Sequence, residues 1–456
     1  MAAVDGNEEL VLEDLTGSSL RESASLVEDE AVVSPPIYHI DLDAPAEKRW
    51  KHVIEMYREE LKAAEEIVDR DISDLLGERR GPFLSGVTNS LFSALVSSGA
   101  VYYSDEIKAM AKVAGIPVGK AALLQLVYEA AAQCTAFLTT GKDGVPIHAR
   151  TMDWEMDFLK PLTVTLIFFK GGKEIFRGPS WAGYVGILTG LKKNAYSVSV
   201  NFRLADGTFW DNVKCAAANA WPIGFLVREC LSNRSSYAEA VAALELSDLI
   251  APTYFVVCGV NPGEGILLTR GRSQSIQPLT LSGRRGIVQP NQDHWDSQAC
   301  NDVMNSRERR QLGYLQLEQM EHALRDDPFA ALWLLLSQEP IWNDITVYGA
   351  VMCPATGEYE ARLPNSMTGF LPAFGEPGDD KVECARCHRP FNPDLNPKGF
   401  CSHAGTWHST YADCSKIKCA MGLGASRIGL AHYSCCYSTD FSGHCPKSNR
   451  HEVKLS

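Results

Sequence analysis

Apolar positions between residues 47 and 132 recur at helical spacing. Val53, Met56, Tyr57, Leu61, Ala64, Ile67, Val68 and Ile72 fall three or four apart among charged residues, which predicts an amphipathic helix over 47–74. Gly81-Pro82 breaks the pattern. Further helical stretches are predicted at 83–101, 105–114 and 119–133. After residue 133 the texture changes. Apolar and β-branched runs at 161–169, 195–202, 254–260, 265–270 and 345–352 predict strands. Helical spacing returns at 212–232, 236–246, 306–324 and 328–336. There are no Rossmann glycines among these alternating elements and no internal repeat.

Cys134 stands at the change of texture. It follows the helical run 123–133 and opens a strand-like run, Cys134-Thr135-Ala136-Phe137-Leu138-Thr139-Thr140. A hairpin signal at Lys142-Asp143-Gly144 leads into His148-Ala149-Arg150-Thr151-Met152-Asp153-Trp154. A thiol at the start of a strand, with Arg150 and Asp153 shortly after it, suggests an N-terminal nucleophile. A thiol needs a base or a cation to react as thiolate. If the Gln133–Cys134 bond is cut, the freed α-amine supplies that base, because its reference pKa of about 7.7–8.0 is well below that of lysine. Asp153 would hold the amine or orient the thiol. Arg150 would bind the aspartate or a substrate carbonyl. The competing reading is a small buried cysteine in a core.

Composition narrows the class. The 456 residues are enough for two or three domains, and a hydrophobic content of 45% supports a large core. A formal charge of −13 argues against nucleic acid as a partner. No apolar run is long enough to span a membrane. Residues 1–36 are acidic and lack the basic and apolar regions of a signal peptide. They read as a disordered tail, and this favours the cytoplasm.

Several ordered motifs together resemble the acid ceramidase and N-acylethanolamine-hydrolysing acid amidase family of N-terminal-nucleophile hydrolases. They include Cys134-Thr135, Ile147 to Trp154, Leu159 to Val164, the glycine-rich Ala182 to Gly190, Pro290-Asn291-Gln292-Asp293-His294-Trp295 and Arg309-Arg310. Upstream, Ile40 to Trp50 resembles the start of the family's mature chain. The resemblance implies an α+β fold, an αββα sandwich over 134–370 preceded by a helical region over 37–133. It implies a site of Cys134, Arg150, Asp153, Asn201, Asn291 and Arg309, with an oxyanion-stabilising amide N–H from Asn201 or Asn291. Asp211 lies near a glutamate of the amidase branch. The implied substrate is a lipid amide, an N-acylethanolamine or a ceramide, met through an apolar channel with peripheral membrane contact. The family also makes the lysosome the alternative location. A retired hydrolase fold serving as a scaffold is the competing function.

Eight of the fourteen cysteines lie in the last 73 residues. After a Pro/Gly-rich linker over 371–383, the segment 384–456 carries Cys384, Cys387, Cys401, His403, His408, Cys435, Cys436, Cys445 and His451. Together with Phe391, Pro393, Asn396 and Gly405 this resembles a CHORD-type zinc module. Zinc is therefore the expected cofactor, structural rather than catalytic, with a protein partner as its implied use, and a disulfide framework is the competing reading. A segment this short and polar would depend on the metal to fold.

Overall fold

The structure is a computed structural model that describes residues 33–76, 89–90, 92–99, 101–127, 132–205, 209–296 and 302–364. It adds two two-stranded ribbons, Val382–Glu383 with Pro390–Phe391 and Trp407–His408 with His432–Tyr433. Residues 1–32, on which the reading of an acidic tail without a leader rests, lie outside the described residues. So do the candidate zinc ligands other than His408, whose side chain is not described.

Two sheets form the centre. The first has eight strands in the order β1-β4-β5-β6-β7-β8-β9-β10: β1 (Ile37–Asp41), β4 (Thr163–Lys170), β5 (Lys173–Trp181), β6 (Thr189–Lys192), β7 (Tyr196–Phe202), β8 (Thr253–Cys258), β9 (Gly265–Arg270) and β10 (Ser275–Thr280). The second has five, ordered β11-β2-β3-β12-β13: β11 (Gly286–Gln289), β2 (Gln133–Thr140), β3 (Pro146–Asp153), β12 (Thr346–Cys353) and β13 (Glu358–Arg362). Ala136, Leu138 and Ile287 of the second sheet pack against Tyr254, Val256 and Leu267 of the first. Helices cover the outer faces. The expected αββα sandwich is therefore the observed architecture.

The strands around Cys134 are buried from end to end. This explains why their sequence shows apolar runs rather than alternation: each face of the sheet has a covering layer. On β2, Phe137 faces the helices with Ala149 of β3, while Ala136 and Leu138 face the other sheet. The hairpin signal is real. Lys142–Gly144 links β2 to β3, with Asp143 and Gly144 at positive φ.

The covering helices are set by local chemistry. The helix Pro328–Leu336 starts at a proline, and the Asp327 carboxylate accepts from the Ala330 N–H at 3.0 Å. The helix Ser306–Gln319 lies on β11 and β2 because residue 313 is glycine. A Cβ there would come within 2.7 Å of Phe137 and Val288. Close approach is what lets this helix deliver Arg309 to the sheet.

Several elements differ from the sequence pattern. The helix expected over 47–74 is three helices, Ala46–Arg49, Lys51–Met56 and Arg58–Leu76. The helix expected over 212–232 is two, Phe209–Ala217 and Ile223–Asn233, interrupted at Asn219 with positive φ and at Pro222. β2 begins one residue before Cys134, because Gln133 pairs with Asp153. The segment before the thiol is not wholly helical: β1 forms the parallel edge of the large sheet against β4. No helix among the described residues is long and apolar enough to cross a membrane.

One buried ion cluster binds that leading segment to the helix Ile223–Asn233, which packs on the eight-stranded sheet. Glu106, on the helix Ser104–Ala114, accepts from Arg49 at 2.6 Å, from the Trp50 indole at 2.5 Å, and from both Nη atoms of Arg228 at 2.7 and 2.9 Å. Arg228 and Glu106 are 1% and 2% exposed, so removing one partner strands a buried charge. Arg228→Met is expected to cost about 3 kcal/mol, the lower end of such losses because Arg49 still pairs Glu106. Denaturant midpoints check this, and Glu106→Gln added to Arg228→Met should recover part of the loss.

Candidate active site

Cys134 is fully buried, and its sulfur lies between the sheets. Arg150 Nη2 donates to Sγ at 2.9 Å, and the Met152 sulfur lies 3.7 Å from Sγ. Burial pushes the thiol pKa up. The Arg150 and Arg309 charges oppose that rise and the Asp153 charge adds to it. In the continuous chain the thiol is therefore held protonated, with a guanidinium in place to receive the thiolate.

Arg150 is locked by four contacts. Nη2 also donates to the Val200 carbonyl at 2.9 Å, and Nη1 donates to the Tyr348 hydroxyl at 2.9 Å and to Thr189 Oγ1 at 3.1 Å. Tyr348 and Thr189 are themselves 3.0 Å apart. Arg150 does not grip the aspartate, contrary to expectation. Residues 150 and 153 are three apart on one strand, so their side chains leave opposite faces. Asp153 instead accepts from Thr346 Oγ1 at 2.7 Å and Thr151 Oγ1 at 3.2 Å. Burial raises its pKa to about 6, against the pull of Arg309, Thr346, Arg150 and Thr151.

Arg309 arrives from the helix side and is 1% exposed, not on a solvated face. Nη1 donates to the Cys134 carbonyl at 2.5 Å and to Thr135 Oγ1 at 2.9 Å. Nη2 donates to Asn291 Oδ1 at 2.9 Å and to the Met304 carbonyl at 2.8 Å.

Asn291 spans the Gln133–Cys134 junction. Its Oδ1 accepts from the Cys134 backbone N–H at 2.9 Å, and its Nδ2 donates to the Ala132 carbonyl at 3.1 Å and to the Phe202 carbonyl at 2.9 Å. Asn201 is nearby but occupied. Its Nδ2 donates to the carbonyls of Gln289 at 2.6 Å and Pro290 at 3.3 Å, while Oδ1 is buried without a partner among the described residues. Both amides are thus committed to backbone in the uncut chain. Asp211 pairs with Lys214 at 3.3 Å on a partly exposed helix face.

The structure thus brings Cys134, Arg150, Asn291 and Arg309 into direct contact and keeps Asp153 on the neighbouring strand. Pattern reading missed Tyr348, Thr346 and Met152. Nothing in their apolar strand context separates them from core, whereas Thr189 at least lies in the glycine-rich turn. His148 lies between the sheets, bonded to Ser197 and Ser199 at 3.0 and 2.8 Å, and burial drives its pKa down to about 3. It is a neutral part of the core. Among the described residues no cluster of His, Cys, Asp or Glu could hold a metal ion.

Residues 33–95 match the family model for the beta subunit of N-acylethanolamine-hydrolyzing acid amidase, and residues 134–276 match that for linear amide C-N hydrolases, choloylglycine hydrolase family. Acid ceramidase of Balaenoptera acutorostrata scammoni is 32% identical over 365 residues, covering 72% of this chain and 86% of that protein. N-acylethanolamine-hydrolyzing acid amidase of Mus musculus is 30% identical over 333 residues, covering 71% of this chain and 86% of that protein. Among solved structures, the Caenorhabditis elegans N-acylethanolamine-hydrolyzing acid amidase ortholog is similar at 27% identity and a TM-score of 0.45, over 51% of this chain and all of that one. With likeness of this extent on both sides of Cys134, the chain belongs to the acid ceramidase and N-acylethanolamine-hydrolyzing acid amidase family of amide C–N hydrolases.

Proposed function

We propose that this chain cuts itself between Gln133 and Cys134 and then hydrolyses the amide bond of N-acylated lipids with Cys134 as nucleophile. The observation that carries the reading is the pairing of Arg150 on the thiol sulfur with Asn291 across the peptide to be cut. The match to the amide hydrolase model also starts at residue 134 itself.

In the first step Sγ attacks the Gln133 carbonyl and the C–N bond opens, with the thiol proton passing to the Cys134 nitrogen. Water then cleaves the resulting thioester, leaving a carboxylate on Gln133, the free thiol and a free α-amine. When the upstream chain end withdraws, Asn291 Nδ2 loses the Ala132 carbonyl and becomes available to a substrate oxyanion. One such donor is worth about 3–4 kcal/mol in acyl transfer. Asn201 keeps its backbone bonds and supports the loop instead. In turnover the α-amine accepts the thiol proton and Sγ adds to the substrate carbonyl. The ammonium returns the proton to the leaving amine, and a water activated by the same amine releases the fatty acid. Arg150 favours the thiolate throughout, and Arg309 fixes the Cys134 carbonyl.

Relatives named acid ceramidase and N-acylethanolamine-hydrolyzing acid amidase support a fatty-acid amide of either kind. The short segment from Asp153 to Pro161 and His294 after Asp293 favour the acylethanolamine. Asp153, protonated below about pH 6, together with the "acid" in both relatives' names, favours an acidic compartment such as the lysosome over the cytoplasm. The unit 134–370 is the catalytic part. The tail from 384 binds zinc, on the strength of its Cys and His spacing alone, and docks a protein partner.

Intact mass is the direct test of processing. Wild type should give two fragments broken between Gln133 and Cys134, while Cys134→Ala stays whole and loses lipid-amide hydrolysis; hydrolysis by the Cys134→Ala chain at the wild-type rate would sink the proposal. Asp153 sets a pH dependence of stability. Its folded pKa of about 6 exceeds the ordinary 3.8, so the stability it gives is fully present below pH 3.8 and is lost as pH rises through about 6. The difference is about 3 kcal/mol. In the uncut Cys134→Ala chain, Asp153→Asn should flatten that fall in denaturation curves between about pH 4 and about pH 7; parallel curves would show that Asp153 does not titrate there. For the tail, metal analysis of the full chain should find about two zinc ions, with about one lost in Cys384→Ser/Cys387→Ser. A metal-free folded chain would refute the zinc assignment.

A further inference from the structure

A carboxylate outside the catalytic cluster holds the loop that carries Asn291. We propose that Asp293, clamped by Arg203 and Tyr254, is a positioning residue that aims Asn291 for self-cleavage and for turnover. The turnover half rests on the amidase reading above; the geometric half does not.

Strand β7 ends at Phe202, and its last two residues with the one after them all reach this loop. Asn201 donates to the Gln289 and Pro290 carbonyls. The Phe202 carbonyl accepts from Asn291 Nδ2 at 2.9 Å. Arg203 then grips Asp293 in a two-point contact, Nε to Oδ1 and Nη2 to Oδ2, each at 2.7 Å. Tyr254, paired with Asn201 on the adjoining strand, adds a hydroxyl donor to Asp293 Oδ1 at 2.6 Å.

A bidentate guanidinium–carboxylate pair fixes orientation as well as distance. Arg203 is 8% exposed, so this pair is screened less than a surface pair would be. Burial pushes the Asp293 pKa up, but Arg203 and the Tyr254 hydroxyl outweigh it and hold the carboxyl below the usual carboxylate range. The clamp stays charged under acid conditions in which Asp153 is neutral.

On the other side of the loop, the Asn291 backbone N–H donates to Ser306 Oγ at 3.1 Å and Arg310 donates to the Gln292 carbonyl. Asn291 therefore sits between two anchors, with Arg309 on its own Oδ1, and the Asp293 anchor is the one that pairs opposite charges. Among the described residues, Asp293 bonds Arg203 and Tyr254 and not Cys134 or its backbone. Its effect must pass through Asn291, whose amide needs to meet both the Cys134 N–H and a developing oxyanion. Misplacement of such a group by about 1 Å costs on the order of 100-fold.

The test uses the full chain with Asp293→Asn, Arg203→Met and the double variant. It reads the rate of the Gln133–Cys134 cut, then kcat and KM of cut protein on an N-acylethanolamine. It also reads hydrogen exchange of the residue 134 amide in the Cys134→Ala background. Each single variant should slow the cut and lower kcat by about tenfold or more, with KM within about twofold, and speed exchange of that amide by about tenfold. The double variant should be no worse than the poorer single, because both remove one clamp. Unchanged rates beside an active wild type, or a loss confined to KM, would overturn the proposal. If wild type neither cuts nor hydrolyses, the amidase reading fails, and the amide exchange still decides: unchanged protection at residue 134 removes the clamp.

Discussion

Two buried guanidinium groups meet Cys134 from opposite faces of the five-stranded sheet, and much of the surrounding structure satisfies them. Arg150 reaches the sulfur from the sandwich interior, and Arg309 reaches the carbonyl of the same residue from the helix layer. A guanidinium buried without partners costs several kcal/mol. The partners come from β6, β7 and β12 for Arg150, and from β2, the Asn291 loop and the Met304 turn for Arg309. Each side chain is held by elements distant in sequence, so the site exists only when both sheets and the helix Ser306–Gln319 are assembled.

The same burial governs the protons. It raises the Cys134 thiol and Asp153 and lowers His148 to about 3. The shifts differ in sign but have one cause: burial makes each group prefer its neutral form. A dry site of this kind strengthens the arginine charges but supplies no base to the thiol. The α-amine released by the proposed cut is such a base, and it would appear where Asn291 already accepts from the same nitrogen.

The leading segment is tied to the catalytic sheets without relying on the bond before Cys134. β1 pairs with β4, Glu106 binds Arg228, and Gln125 bonds both Gly183 and Val185. These contacts do not run through the Gln133–Cys134 peptide, so its loss would leave the sheet edge and the ion cluster in place. The chain around the thiol is further restrained by the Arg309 and Asn291 bonds to its backbone and by the grip of β7 on the Asn291 loop. Rigidity at the junction thus comes from side-chain bonds to backbone rather than from the continuity of the chain.

The sequence by itself determined the elements whose signals are local. The helix at 328–336 has its proline and its aspartate cap, β9 has its apolar run, and the hairpin after β2 has its Asp-Gly turn. The candidate nucleophile stood out as well, because Cys134 lies at a helix-to-strand change with Arg150 and Asp153 shortly after it and the family resemblance singles it out. Tertiary structure decided what depends on pairing across the chain. β1 and β11 are short strands, and the large sheet and β2 respectively give them their partners. Period-two geometry, not sequence distance, sent Arg150 to the thiol and Asp153 to the other face. Tyr348 and Thr346 joined the site, and Arg203 the loop beside it, only because folding brought them there. Their types and neighbours read equally well as core or surface, since a hydrogen bond between residues many positions apart leaves no periodic trace in either partner's local sequence.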